Sequence, residues 1–227
     1  MAAAVVRVER QRLEGLVARL GHDDTPRVYT DRNVLVRELF WRRLGALLSL
    51  SRAPSRARVL DFGGGNGVLM PTLSRLYDEV VCVDLRTEMA EELARADGIA
   101  NAKIQAGELS SLGLPGDSCD TIIAADVLEH IVDLKALIAE FRRLLKPGGE
   151  LLVSAPSENA FYELGRKVFR YVKPDDHYHT AAFIERTITD DLRLASRRYF
   201  PFNLSPLAVF SLARFVKPDS GAGVRET

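Results

Sequence analysis

Cysteine is scarce in this chain and neither charge sign is in excess. There are two cysteines among 227 residues. Cys82 and Cys119 both fall inside apolar runs, VVCVD and SCDTIIAA, where a small buried hydrophobe is the ordinary role. Their number and spacing argue against a disulfide framework or a cysteine metal site. Lys plus Arg and Asp plus Glu each total 31, so no overall basic field exists to hold nucleic acid by counterion release. Local patches stay open. Long hydrophobic runs are missing as well. The apolar stretch LSPLAVFSLARFV has 13 residues and contains Arg214, too short and too charged to span a bilayer. The opening MAAAVVRVERQRLEG carries Arg7, Glu9, Arg10 and Arg12, which interrupt a signal-peptide core. A cytoplasmic enzyme is the expectation, with no internal repeat and no low-complexity tract.

What is present is an alternation. The length suits one sizeable core with appendages. Residues 2–20 and Asp31 to about Leu50 have helical spacing of apolar residues, predicting two helices before the first strand. SRAPSRAR, residues 51–58, reads as a connector. Then RVLDF, EVVCVD, AKIQA, DTIIAA and GELLVSA read as strands, with helices over Gly67 to Leu76, Thr87 to Asp97 and Asp133 to Leu145. Strands alternating with helices predict an α/β fold with a mostly parallel sheet covered on both faces. The organisation expected is an N-terminal helical extension over 1–56, a Rossmann-like core over 57–156 and an acceptor-binding cap over 157–227 that completes the same domain. The cap would fold over the strand ends. Within it FYELGRKVFRYVK predicts an amphipathic helix with Arg166, Lys167, Arg170 and Lys173 on its basic side. Such a helix is usually a core stripe with a solvated face; contact with an anionic acceptor or a membrane surface is the alternative.

Ligands of parallel sheets bind beyond the carboxyl ends of the strands, near the first βα turn. That turn is VLDFGGGNG, with Asp61 on the strand and glycines at 63, 65 and 67. A nicotinamide or flavin fingerprint needs a small residue where Val68 stands, so a dinucleotide is the weaker reading. Asp84 ends the second strand, 21 positions after Gly63, where a carboxylate can accept both hydroxyls of a ribose.

VLDFGGGNG, VVCVD, AGEL, CDTIIAADVLEHIVD and LLKPGGELLVSAP, in this order, resemble the class I S-adenosylmethionine-dependent methyltransferases over residues 57–156. The resemblance implies a Rossmann-like, seven-stranded-type sheet and S-adenosylmethionine as cofactor. It places the methionine end on Asp61, Gly63, Gly65 and Gly67. Asp84 would bind the ribose, Glu108 and Leu109 would meet the adenine, and Leu85 and Asp126 would join the cofactor set. Glu108 stands where many relatives have Asp.

For an oxygen acceptor the enzyme must also help remove a proton, with a base or a metal. Asp126, Glu129 and His130 follow the fourth strand, and PDDHYHT supplies His177 and His179. The D-x-x-E-H pattern with a distant histidine looks like the metal-dependent O-methyltransferases, which carry E-x-x-E-H. Asp126, Glu129 and His130 would then hold Mg, Mn or Zn. In many relatives without metal the same V-L-E-H packs and hydrogen-bonds, leaving His177, His179 or His130 as the catalytic base. The acceptor expected is a small molecule, a glycan or a lipid-linked intermediate, methylated at oxygen, because the prolines and aromatic of the N-methyltransferase signature are missing after the fourth strand. Rival readings are an N-methyltransferase, an RNA-end methyltransferase and a non-catalytic cofactor-binding subunit.

Overall fold

Residues 119–125 are almost wholly buried, which is what a strand covered on both faces by helices requires. In the computed structural model, which describes residues 4–21, 27–169 and 177–219, this strand is the fourth of seven. The strands are β1 (Arg58–Phe62), β2 (Glu79–Asp84), β3 (Ala102–Ala106), β4 (Cys119–Ala125), β5 (Leu145–Pro156), β6 (Arg193–Phe200) and β7 (Phe210–Val216). Their order in the sheet is β3-β2-β1-β4-β5-β7-β6. The first five are parallel to one another, and β7 runs antiparallel between β5 and β6.

The helices are α1 (Arg10–Leu20), α2 (Val34–Leu48), α3 (Met70–Leu76), α4 (Glu88–Ala96), α5 (Leu134–Leu144), α6 (Ala160–Phe169) and α7 (Ala181–Thr189). One sheet face buries Leu13, Trp41, Leu47, Leu73 and Leu93 from the first four helices. The other buries Ile138, Phe141, Leu144, Ile184 and Ile188 from α5 and α7. The chain crosses from β3 to β4 past β1, so the sheet changes direction between β1 and β4. A crevice opens at their carboxyl ends, the usual ligand position of this topology. Among the described residues no helix is long and apolar enough to cross a membrane.

Local chemistry sets several boundaries. Asp133 caps α5 by accepting the Ala136 amide at 3.0 Å, and Thr180 caps α7 by accepting the Phe183 amide at 3.3 Å, each satisfying an orphan first-turn donor. The first helix starts at Arg10 and not near Ala2. Residues 4–9 form an irregular strap, in which the Val6 amide donates to Thr72 Oγ at 2.9 Å and Val8 is buried. The strap's valines have modest helix propensity, and burial against α3 decides against the helix.

The tail divides. Residues 193–200 and 210–216 do not cap the strand ends but complete the sheet edge as β6 and β7. The apolar run read as too short for a membrane is thus mostly an inner strand, with Phe210, Leu212 and Phe215 buried. Arg193, Arg197 and Arg198 charge the outer strand β6, which discourages further pairing. The α6 helix buries no side chain completely, and Leu164 and Val168 are exposed, so its apolar stripe is not part of the core. Arg170 to Lys173 of the expected basic helix, and Asp175 and Asp176, lie outside the described residues.

Candidate active site

The loop after β1 is built so that backbone lies against backbone. Gly63 has φ +76°, and a Cβ on it would sit 2.6 Å from the Val127 side chain. A Cβ on Gly65 would sit 2.1 Å from the Arg86 carbonyl oxygen. Only glycine allows either approach. Gly67 closes the turn, its amide donating to the Gly64 carbonyl at 2.8 Å, just ahead of α3. Asp84, at the end of β2, accepts the Gly65 amide at 2.9 Å and the Arg86 amide at 3.1 Å. The expected ribose carboxylate therefore holds the glycine loop itself.

Asp61 is 2% exposed, and its buried Oδ2 has no hydrogen-bond partner among the described residues. Burial first, and the nearby Asp84 charge second, push its carboxyl up to about 7. A buried carboxyl with an open oxygen beside a glycine cradle suits a cationic group that would relieve this cost. The residues thus fit an amino-acid ammonium such as the methionine end of S-adenosylmethionine. Further along the edge, Leu85 and Glu108 are exposed, while Leu109 is buried at the start of a 3-10 turn.

The second wall comes from residues 126–130. Asp126 has φ +56°, and its amide donates to the Ser154 carbonyl at 2.9 Å. Its carboxylate accepts Ser154 Oγ at 2.8 Å and forms an ion pair with Arg43. Arg43 is a residue the sequence reading missed. It is 2% exposed, lies 5.2 Å from the Phe40 ring centroid and 4.7 Å from that of Phe210, and donates to the Tyr29 hydroxyl at 2.9 Å. A signal existed in the sequence, since Arg43 falls on the α2 stripe of Val36, Phe40, Leu44 and Leu47.

Glu129 is also 2% exposed, and its Oε2 has no hydrogen-bond partner among the described residues. Burial pushes its carboxyl up to about 7, opposed by its own backbone amide, His130 and Arg43. The His130 and His177 rings meet edge to face at 4.7 Å. One donor atom from each of Glu129, His130 and His177 lies within 4.8 Å of the other two. The expected set is thus rearranged. His177 joins Glu129 and His130, Asp126 is engaged by Arg43, and His179 donates through Nε2 to the Ile131 carbonyl at 2.9 Å while stacking on Phe183. Glu158, also missed, pairs with His177 Nδ1 at 2.9 Å.

Residues 60–153 match the family described as a methyltransferase domain. Over that stretch the chain is similar to methyltransferases. Among curated relatives, the ubiquinone biosynthesis O-methyltransferase of Xanthomonas euvesicatoria pv. vesicatoria is 33% identical over 138 residues. That match spans 57% of this chain and 57% of the relative, so it leaves much of each protein uncompared. The N-methyltransferase NodS of Bradyrhizobium japonicum, solved with S-adenosylhomocysteine, has a TM-score of 0.64 at 20% identity, covering 92% of this chain and 99% of NodS. The 4+2 cyclase SpnF has a TM-score of 0.62 at 15% identity, covering 78% and 80%. These likenesses show the methyltransferase fold. That a cyclase shares it means that the chemistry must be argued from the site.

Proposed function

We propose that this chain is a methyltransferase that transfers the methyl group of S-adenosylmethionine to a hydroxyl oxygen of a small-molecule acceptor. One observation carries the reading: the glycine loop with its open Asp61 carboxyl and the group of buried Glu129 with half-buried His130 and His177 share the carboxyl edge between β1 and β4. S-adenosylmethionine would supply an electrophilic methyl on a sulfonium. Asp61 and the backbone of Gly63, Gly65 and Gly67 would receive the methionine end. Asp84 would exchange its loop amides for ribose hydroxyls, with Leu85, Glu108 and Leu109 toward the adenine. His177, beside His130, would take the proton of the acceptor hydroxyl. The name of the Xanthomonas relative favours oxygen over nitrogen.

A second reading concerns the same three side chains. Glu129, His130 and His177 would hold a divalent cation of the Mg, Mn or Zn class, favoured by the spacing of their donor atoms and by the open, buried Oε2 of Glu129. The cation would supply Lewis-acid assistance to the hydroxyl. Asp126, committed to Arg43, would not contribute.

The experiment is a transfer assay with S-adenosylmethionine labelled on the methyl, run against hydroxylated aromatic, glycan and lipid-linked acceptors, with amine analogues beside them. Label on a hydroxyl acceptor, lost in His177→Ala, is the expected result. Label on amines alone overturns the oxygen assignment, and no S-adenosylhomocysteine binding overturns the cofactor.

A further inference from the structure

Glu158 lies between β5 and α6 with φ +49°, a left-handed conformation that costs energy at a non-glycine residue. Both neighbours are pinned. The Ser157 amide donates to the Val209 carbonyl at 3.0 Å and Ser157 Oγ to the Ala208 carbonyl at 2.6 Å. The Asn159 side-chain amide donates to the Ser205 and Ala208 carbonyls at 2.8 and 2.9 Å. Held between these anchors, Glu158 turns its carboxylate to His177, 19 residues away, with Oε1 2.9 Å from Nδ1. The two side chains are 12% and 6% exposed.

His177 is fixed from its other sides too. The Tyr178 amide donates to the Glu129 carbonyl at 2.8 Å, His179 donates to Ile131, and the His130 ring stands at 82° to the His177 ring. The segment from 177 to 179 is therefore docked on the turn after β4 by hydrogen bonds from the two residues that follow His177. An ionised carboxylate only accepts, so the proton of the Glu158 contact belongs to Nδ1. A neutral imidazole has one N–H, which leaves the lone pair on Nε2.

We propose that Glu158 is a positioning residue that locks His177 in the Nδ1–H tautomer and makes Nε2 the atom offered to the acceptor or to a cation. This rests on the function proposed above. In the transfer the acceptor oxygen bonds the methyl carbon as its proton passes to Nε2. The carbon–sulfur electron pair stays on sulfur, leaving S-adenosylhomocysteine, a methyl ether and a His177 imidazolium that faces the Glu158 carboxylate and then gives its proton to solvent. In the cation reading the same lock presents Nε2 as ligand, with Glu158 as the outer carboxylate.

The test is two-bond 15N–1H correlation of the histidine rings of the full chain at about pH 8, above the ordinary histidine range, with His177→Gln assigning the signals. A neutral His177 protonated at Nδ1 is expected. Protonation at Nε2, or at both nitrogens, overturns the proposal. In Glu158→Ala the ring loses its Nδ1 acceptor and Nε2–H becomes the major form; an unchanged tautomer there also overturns it. The decisive spectrum is of the wild-type protein, so a variant that fails to fold leaves the test intact. With an acceptor from the transfer assay, Glu158→Ala lowers kcat by about 10- to 100-fold and leaves S-adenosylhomocysteine affinity within about twofold. Equal losses in both would mark a merely structural role. Titrating S-adenosylhomocysteine into the same sample separates the two ideas. Failure to bind removes the cofactor assignment, whereas the wrong tautomer removes only the role of Glu158.

Discussion

The guanidinium of Arg43, on α2, is buried against the carboxylate of Asp126, at the end of β4. It ties the N-terminal helical pair to the edge where the candidate site lies, and it sits between the rings of Phe40 and Phe210. The pair leaves Asp126 engaged within the protein, although its side chain is still 22% exposed.

Removing one member of a buried pair strands the other charge. Arg43→Met is expected to cost about 3 kcal/mol or more of folding stability, measured by chemical denaturation. Asp126→Asn in the same chain recovers part of the loss. Additive losses from the two changes would show that they are not coupled.

Asp84 makes two backbone hydrogen bonds across the glycine loop, and by the present proposal exchanges them for ribose hydroxyls. Asp84→Ala is expected to weaken S-adenosylhomocysteine by about 100-fold, in line with two lost charge-assisted hydrogen bonds at about 1.5 kcal/mol each. Calorimetric titration reads this directly, and unchanged affinity removes Asp84 from the cofactor site.

Gly65→Ala would set a methyl group 2.1 Å from the Arg86 carbonyl oxygen and 2.6 Å from the Asp84 carboxyl carbon. Backbone atoms cannot yield cheaply, so the loop must shift. Expected are a lowered thermal midpoint and loss of S-adenosylhomocysteine stabilisation. Gly98→Ala carries a backbone strain of its own, with φ +63°, but meets no contact within 4 Å, and serves as the control that retains binding.

The carboxyl of Asp61 is raised to about 7 from an ordinary 3.8. Between those values the folded protein keeps a proton that the unfolded chain has released. Stability from this group therefore falls as pH rises through the window, and the full penalty is present above about pH 7. Thermal midpoints between about pH 5 and pH 8 should show that fall, reduced in Asp61→Asn. A bound ammonium would favour the ionised carboxylate, so S-adenosylhomocysteine binding near neutral pH should release a proton. Calorimetry in buffers of different ionisation enthalpy checks this, and no proton release would separate Asp61 from the ammonium.

The two tail histidines should behave differently. His177→Ala is expected to lower turnover by about 100-fold, the scale of a lost general base, with cofactor affinity kept. His179, hydrogen-bonded to Ile131 and stacked on Phe183, should affect turnover by less than about tenfold. A chelator-treated protein whose midpoint rises with Mg, Mn or Zn, and not in Glu129→Gln, would favour the cation reading. The same rise in Glu129→Gln would count against it.

The sequence alone determined the alternating sheet and the edge that carries the candidate site, because both are local signals: five strands at βα spacing, glycines that permit close backbone approach, and an acid at the end of the second strand. It left the tail unresolved. LRLASRRYF and LSPLAVFSLARFV have no clean alternation of their own, and pairing of β7 with β5 and of β6 with β7 makes them strands. Nor could spacing along the chain separate His177 from His179, or reveal that Asp126 is engaged while Glu129 is open. Those outcomes depend on partners distant in sequence: Arg43 on α2, Glu158 ahead of α6, and the Ile131 carbonyl beyond β4. A residue's type fixes which bonds it can make. Only the folded chain decides which partner is close enough to make them.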